Sequence, residues 1–590
     1  MSFRDLHDFI LFLDEKKDLR RVRVEVDPEL EMTEIAMRIV RQDGPAILFE
    51  NVKGSAFPVL MNIFGAERRI RWTLGRDPGD VGRELAGTAR DFMPPRISSF
   101  WKHRDLLPRV LGMKPRRAWT APVRDVSARP DLTILPVLKC WPKDGGRFFT
   151  FPLIVTRSPS NHIQNMGVYR LQIFDETHTG MHWQIERGGA FHYEEAERRN
   201  EPLPAAVVLG GDPILLLAGV LSLPEDFDEL SFAGYLRGRS VPVVKTTHGG
   251  LMVPADAEFV LEGVVPPFVR KPEGPFGDHY GHYSQTAPFP VFELKRMVHR
   301  RGAIYPASVV GRPPQEDRFL GDATQQMFLP LLKLIHPELV DLWAYHESGF
   351  HNLLVASSVQ RYEKEALKTA FALFGEGQAS LTKCIVMVDP EVPVRDFKSV
   401  LRSVRDHFDP EDDFLLLPGT SQDTLDFTGR RMNRGSKMIL DATQSHKRPR
   451  QKKEGGSARA SEFMDKLGGS VGPWRIWEDA LLVVQVKSDG RRWVERLVKE
   501  PALQGLPLIA VVSEDIPLDD LGQIIYGIFS RFDCELDLIP AHSELRGGRA
   551  IVSGPLGFDA TWKEGYPEPL VMDPDVVQKV TRRWSEYGLP

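Results

Sequence analysis

Apolar positions near the start of the chain switch between two periods. In MSFRDLHDFILFLDEKKDLRR the residues Phe9, Ile10 and Leu13 fit one helical face. RRVRVEV then sets Val22, Val24 and Val26 against charges, the period of a half-buried strand, and EMTEIAMRIV returns to helical spacing. With AILFENV and PVLMNIFG, this pattern predicts an α/β unit over residues 1–117. From 118 to 305 the apolar runs are short and broken by Gly, Pro and Asp, as in FPLIVTRS, NMGVYRLQIF, MHWQIE, PVVKTT and AEFVLEGVV. That grammar predicts a strongly bent sheet or small barrel. The most membrane-like run, AAVVLGGDPILLLAGVLSL, is interrupted by Gly-Gly-Asp-Pro at 210–213, so a buried strand, a turn and a short buried helix are expected instead of a membrane span.

From 320 to 445 the helical and strand patterns alternate again, in QQMFLPLLKLI, HNLLVASS, EALKTAFALF and KCIVMVD, which predicts a mainly parallel sheet. Here the chain repeats itself. KCIVMVDPEVPVRDFKSVLRSVRDHFD, from Lys383, aligns without gaps with PLIAVVSEDIPLDDLGQIIYGIFSRFD, from Pro507. The two share the prolines at 393 and 517 and the Phe-Asp pairs at 408 and 532, and each copy later reaches an Asp-Ala-Thr, at Asp441 and Asp559. A duplicated half-domain is therefore expected over 462–570. The basic stretch 446–461, poor in large apolar residues, is expected to be a mobile linker between the copies. A last helix in 571–590 places Val576, Val577, Val580 and Trp584 on one stripe, expected to pack on a neighbouring subunit of a homodimer or higher homo-oligomer. The fold class is thus α/β (α+β): an N-terminal α/β domain, a central split β-barrel-like domain, and a C-terminal α/β domain with a duplicated half and a terminal helix.

Charge narrows the function. The 76 basic and 81 acidic residues leave a net charge of -5, which gives no general attraction to a polyanion, so a small substrate is expected and nucleic acid is not. Three scattered cysteines, Cys140, Cys384 and Cys534, exclude a disulfide framework and a cysteine-based zinc site and suggest a reducing compartment. The N-terminal apolar run is too short and too acidic for a signal peptide, so a cytoplasmic protein is expected.

No GxGxxG, GxxxxGK[ST] or HExxH motif is present, so dinucleotide, P-loop and zincin readings lack their anchors. Four polar stretches remain, all in the central unit. NMGVYRLQ carries Asn165, Gly167, Tyr169, Arg170 and Gln172, and its arginine can clamp a carboxylate or phosphate. MHWQIERGGAFHY offers His182, Glu186 and His192, plausible but undiagnostic metal ligands. DFDEL, 226–230, reads as a helix cap or a solvated run. EGPFGDHYGHY sets Glu273 and Asp278 around a Gly-Pro-Phe-Gly turn and adds His279 and His282. Two carboxylates facing one cavity are expected to push one pKa upward, giving a neutral acid beside an ionised base; a metal site at the two histidines is the competing reading.

Taken in order, NxGxYRxQ, RGGA, ExxFAG, EGPFGD and GSKMxxDAT resemble the UbiD family of decarboxylases that use prenylated FMN. The resemblance runs from residue 1 to about 445 and resumes in the last helix, and the second copy looks like the extension of longer members. It implies that Arg170, Glu273 and Asp278 form the catalytic network. It implies also that Asn165, Gly167, Tyr169, Arg170, Gln172, Glu186, Arg187, Glu229 and Lys437 line the cofactor, and that Asn165, Glu186 and Glu229 hold the metal bridging the flavin phosphate. The family has histidine where this chain has Glu186; an all-oxygen set suits Mn²⁺ or Mg²⁺, with His182 as a substitute ligand and K⁺ as a further ion. The second copy has Pro555 near the position of Lys437 and is expected to be structural. The implied substrate is an aromatic or α,β-unsaturated acid, with the precursors of menaquinone and ubiquinone among the family's uses, and a flavin prenyltransferase is implied as the source of the cofactor. The competing functions are a carboxylase or one subunit of a carboxylase, a flavin oxidoreductase, and a non-catalytic scaffold subunit.

Overall fold

The computed structural model describes residues 3–94, 97–221, 223–224, 227–444, 456–468 and 471–590. Two compact units emerge: one comprises the chain up to Met327 together with Glu568–Pro590, the other Phe328–Pro567.

The first unit holds two main sheets. A four-stranded sheet runs in the order Leu19–Val22, Ala46–Phe49, Val59–Met61, Tyr305–Pro306. It is covered by the helix Glu31–Val40, whose apolar residues join the unit's core. The larger sheet is antiparallel throughout, in the order His178–Gly180, Ala287–His299, Phe259–Val265, Leu203–Leu209, Leu153–Arg157, Gln164–Val168. Val126–Ala128 and Arg270–Glu273 also pair with the long strand Ala287–His299. Among the described residues the path does not return on itself, so the expected barrel is an open sheet. Short Gly- and Pro-broken strands satisfy either arrangement; closure depends on whether the two edge strands pair, and here they do not.

Local expectations hold where the pattern was long. The run from Ala205 forms the strand Leu203–Leu209 and the buried helix Pro213–Val220, started by Asp212, whose side chain accepts from the Ile214 N–H. Asp228 caps the helix Glu229–Arg237 in the same way. MHWQIE, by contrast, forms no strand. The terminal helix, Pro574–Arg583, packs its apolar stripe on its own unit: Val580 enters the core, with the partly buried Val576, Val577 and Trp584 against it. The buried Glu31 fixes that docking by accepting from Lys579, Arg583 and Tyr587 at 2.9, 2.6 and 2.8 Å.

The second unit shows the repeat in three dimensions. Its first sheet runs Leu339–Ala344, Leu353–Ser358, Cys384–Val388, Arg434–Asp441, Phe414–Ser421; its second runs Trp474–Trp477, Leu481–Val486, Leu508–Ser513, Arg549–Ala560, Leu538–Arg546. In both, the successive pairings are antiparallel, parallel, parallel and antiparallel. Small side-chain devices repeat too. Asp409 N–H donates to Asp413 as Asp533 N–H donates to Asp537, and Asp441 and Asp559 each accept from the threonine two residues on. The expected linker is only partly accounted for: 446–455 lies outside the described residues, while 456–461 begins the helix Gly456–Leu467, anchored by the buried Ala460 and Met464. No helix among the described residues is long and apolar enough to cross a membrane.

Candidate active site

The strand Gln164–Val168 ends at Tyr169 and Arg170, and the chain re-enters pairing at Leu171–Gln172 in a different sheet. Arg170 therefore sits at a corner, free of the ladder, and turns its guanidinium inward. Glu273 ends the strand Arg270–Glu273 and is wholly buried, lying over Gly180, where a Cβ would come within 2.9 Å of its side chain. The turn after it is tied down from outside. Gln172 accepts from the Gly274 N–H (2.7 Å) and donates to the Gly145 carbonyl (2.9 Å), while Asp144 accepts from the N–H groups of Gly277, Cys140 and Trp141.

These anchors bring three charged groups together across 103 and 108 residues of chain. Arg170 Nε donates to Glu273 Oε1 at 3.0 Å, Nη1 donates to Asp278 Oδ2, and Nη2 donates to Ser284 Oγ at 3.0 Å. The guanidinium lies over the Phe276 ring, 4.7 Å from its centre. Each carboxylate also has its own histidine: His182 Nδ1 is 2.7 Å from Glu273 Oε2, and His279 Nδ1 is 2.7 Å from Asp278 Oδ1.

The expected split into an acid and a base is not what this geometry produces. Burial pushes the Glu273 carboxyl up, but the Arg170 charge and the His182 contact outweigh it and hold it at about 2. Burial likewise opposes ionisation of Asp278, and the hydrogen bond and charge of His279 with the charge of Arg170 hold it well below the usual carboxylate range. Both are ionised because a cation stands between them. Burial, reinforced by Arg170, depresses His182, which stays neutral. Its proton then belongs on Nδ1, facing Glu273, and leaves buried Nε2 as an acceptor with no hydrogen-bond partner among the described residues.

A third carboxylate lies near the beginning of the strand Gln164–Val168. Glu229, first residue of its helix, accepts from the Asn165 amide at 2.8 Å and from the Met166 N–H at 2.7 Å. Tyr169 donates to Asn165 Oδ1 at 3.3 Å and accepts from the Gly189 N–H. The helix Gly188–Arg198 begins against this group, with Gly188 so close to Asn165 that a Cβ would come within 2.8 Å of its amide. Arg187 occupies the helix N-cap position and bears electrostatically on Tyr169. Glu229 has only neutral donors, and burial pushes it up to about 7.

The remaining expectations fare unequally. Glu186 is exposed, with left-handed backbone (φ 57°), in the turn before Gly188. No group of three His, Cys, Asp or Glu side chains fit to hold a metal forms among the described residues, so the histidine-based readings are not assembled. His182 serves Glu273, His192 lies 2.9 Å from Thr156 Oγ1, and His282 Nδ1 faces the Tyr280 carbonyl. Gln172 holds the Gly274 turn, and Gly167 leaves room for the Tyr169 ring. Lys437, in the other unit, donates to the Ser380 and Thr382 carbonyls at 2.7 Å each, and burial lowers it to about 8. Asp144 and Ser284 escaped the sequence reading, since no motif or periodicity sets them apart.

A prenylated flavin and a metal fit the residues present. Three buried polar atoms in or beside the Arg170 cluster lack partners among the described residues: Thr179 Oγ1, His182 Nε2 and Trp183 Nε1. Such atoms are costly unless a ligand supplies the missing partner. Glu229, a buried carboxylate without a cation, is the donor type that Mn²⁺ or Mg²⁺ requires.

Comparison with known proteins agrees with this architecture. Three family models match in sequence: the N-terminal, Rift-related and C-terminal domains of 3-octaprenyl-4-hydroxybenzoate carboxy-lyase, over residues 10–88, 115–313 and 318–442. A Chlamydia pneumoniae protein, named as one of the subunits of a 4-hydroxybenzoate decarboxylase, is 38% identical over 100% of this chain and 98% of its own. The vanillic acid decarboxylase of Sedimentibacter hydroxybenzoicus, solved in closed form, is 25% identical with a TM-score of 0.67, over 79% of this chain and 99% of its own. HmfF of Pelotomaculum thermopropionicum, solved as an evolved dimeric form with prFMN, is 25% identical with a TM-score of 0.60 over the same shares. The chain belongs to the UbiD family and is a carboxy-lyase.

Proposed function

We propose that the chain removes CO₂ from a hydroxylated aromatic acid, without net oxidation, using prenylated FMN. The observation that carries this reading is the buried Arg170–Glu273–Asp278 cluster, already assembled with hydrogen bonds to both carboxylates. Leaving CO₂ deposits an electron pair on an sp² carbon, which no side chain can delocalise; the prenylated flavin, when bound, supplies that electron sink. Arg170 orients the substrate carboxylate, Glu273 and its neutral His182 hold the guanidinium and shape the local charge, and Asp278 delivers the proton that takes the place of CO₂. Asn165 and Glu229, with Glu186 from the adjoining turn, would hold Mn²⁺ or Mg²⁺ at the flavin phosphate, where the N-terminus of the helix Gly188–Arg198 also favours an anion.

The substrate class is supported by two of the named relatives, a 4-hydroxybenzoate and a vanillic acid decarboxylase. It displaces a naphthoate of quinone synthesis as the first compound to try. The Chlamydia pneumoniae relative carries the name of one subunit among several, which favours a second reading, that this chain works as one member of a multi-subunit decarboxylase. The test is to co-express the chain with a flavin prenyltransferase, identify the bound flavin by mass, and assay CO₂ release from 4-hydroxybenzoate, vanillate and a hydroxynaphthoate. Bound prenylated flavin with CO₂ release from at least one acid is expected. Protein that retains no flavin, or that bleaches it with NAD(P)H and releases no CO₂, would overturn the proposal.

A further inference from the structure

The two carboxylates of the cluster differ in their access to water. The Glu273 side chain is fully buried and its partner His182 is 5% exposed, whereas His279, on Asp278, is 22% exposed. Asp278 itself is enclosed: Oδ2 accepts from Arg170, and Oδ1 accepts from the His279 backbone N–H and lies 2.7 Å from its ring. An ionised, enclosed carboxylate has no proton to give, and its open neighbour is the His279 ring. Asp317, the first residue of the helix Asp317–Ile335, feels the charge of His279, and the Tyr280 ring lies 4.8 Å from the His279 ring; Arg170 lies beyond Asp278.

The geometry points to His279 as the proton port of the active site, a relay residue that recharges Asp278 from solvent in every turnover, with Asp317 supporting its charged form. This rests on the decarboxylase reading above. In the step, the C–CO₂ bond breaks and leaves its electron pair on carbon; the Asp278 carboxyl O–H breaks and its proton forms the new C–H bond. The Asp278 carboxylate takes the Nδ1 proton of the His279 imidazolium, and the neutral ring takes one proton from water. One solvent proton thus replaces one CO₂, with no oxidant or reductant. Burial holds the Asp317 carboxyl up at about 6, against the pull of the His279 charge.

Two measurements separate the relay from the function on which it rests. In the apoprotein, NMR follows the His279 ring, and its titration is expected to move to lower pH in the Asp278→Asn variant; an unmoved titration would overturn the relay whether or not the enzyme decarboxylates anything. In the flavin-loaded enzyme, His279→Gln is expected to lower kcat about 10- to 100-fold with KM within about twofold, to flatten the pH dependence of kcat, and to be partly rescued by imidazole. Asp317→Asn should shift that pH dependence with a smaller loss. A slower His279→Gln enzyme with an unchanged pH profile and no rescue would mean that the ring only positions Asp278, and the relay would fall. Wild-type enzyme inactive on every acid would count against the decarboxylase reading alone.

Discussion

Arg170 and Asn165 lie five residues apart on one stretch of chain, and each serves a buried carboxylate site, yet the two sites have opposite electrostatics. At Arg170 two carboxylates share one permanent cation, and Glu273 is held at about 2. At Asn165 one carboxylate has only an amide and a backbone N–H, and burial holds Glu229 at about 7. The first site is complete as folded. At the second, the hydrogen-bond partners of the carboxylate among the described residues are all neutral. Their contributions to stability therefore run in opposite directions with pH. Ionised Glu273 stabilises the fold above its ordinary value of 4.5, and that contribution is lost as the pH falls toward 2. Glu229 favours the fold in its protonated form, a contribution present below 4.5 and lost as the pH rises through 7.

The strongest way to break the contrast is to remove the cation. Arg170→Met leaves Glu273 and Asp278 buried without it, and unfolding in denaturant should show a loss of about 3–5 kcal/mol at pH 7, as for other buried charges stripped of a partner. The loss should shrink below pH 4 as the carboxylates take up protons. Glu273→Gln is the milder intervention, since Arg170 keeps Asp278 and Ser284 as acceptors. Flavin absorbance should persist while CO₂ release falls about 10³-fold or more; wild-type turnover in this variant would remove Glu273 from the mechanism.

What the sequence made legible follows the reach of each signal. The repeat could be read because it preserved short-range features, Pro393 with Pro517 and the two Asp-Ala-Thr ends, and its sheets then share order and direction. Open sheet and barrel could not be told apart, because closure is decided by strands far apart in the chain. The cluster was visible only through motif resemblance; periodicity alone allowed Arg170 to be a surface cation and the two histidines a metal site. The ionisation was misread because Glu273 and Asp278 look like repelling neighbours in sequence, whereas the fold inserts Arg170 between them and gives each a histidine. Cys384 and Cys534, 150 residues apart, end with sulfurs 3.7 Å from each other as free thiols, a proximity that no local pattern announces.

The second site sharpens the comparison with an effect of intermediate size. Glu229→Gln keeps the shape and removes the charge, but it keeps only one of the two accepting oxygens, so its NH2 group faces either the Asn165 amide or the Met166 N–H and offsets part of the gain. In metal-free protein at pH 8 the variant should be more stable than wild type by roughly 3 kcal/mol at most, the shift from 4.5 to about 7 expressed as free energy. Added Mn²⁺ should close the gap by stabilising only the wild type, and the gap should vanish below pH 4.5. A difference between variant and wild type that stays the same from pH 8 to pH 4 without metal would show that Glu229 is already balanced by charges within the fold.

The smallest effect probes how far the first site depends on its neutral members. Ser284 accepts from Arg170 Nη2 and from the Phe276 N–H, so Ser284→Ala leaves two donors short of an acceptor in a buried place. A loss of about 1–2 kcal/mol in denaturant unfolding is expected. The ion pairs do not pass through this hydroxyl, so the acid limb of the stability curve should keep its midpoint and kcat should fall less than about tenfold. A large shift of that limb would mean that the ionised state of Glu273 and Asp278 depends on the orientation Ser284 gives the guanidinium, and not on the charge of Arg170 alone.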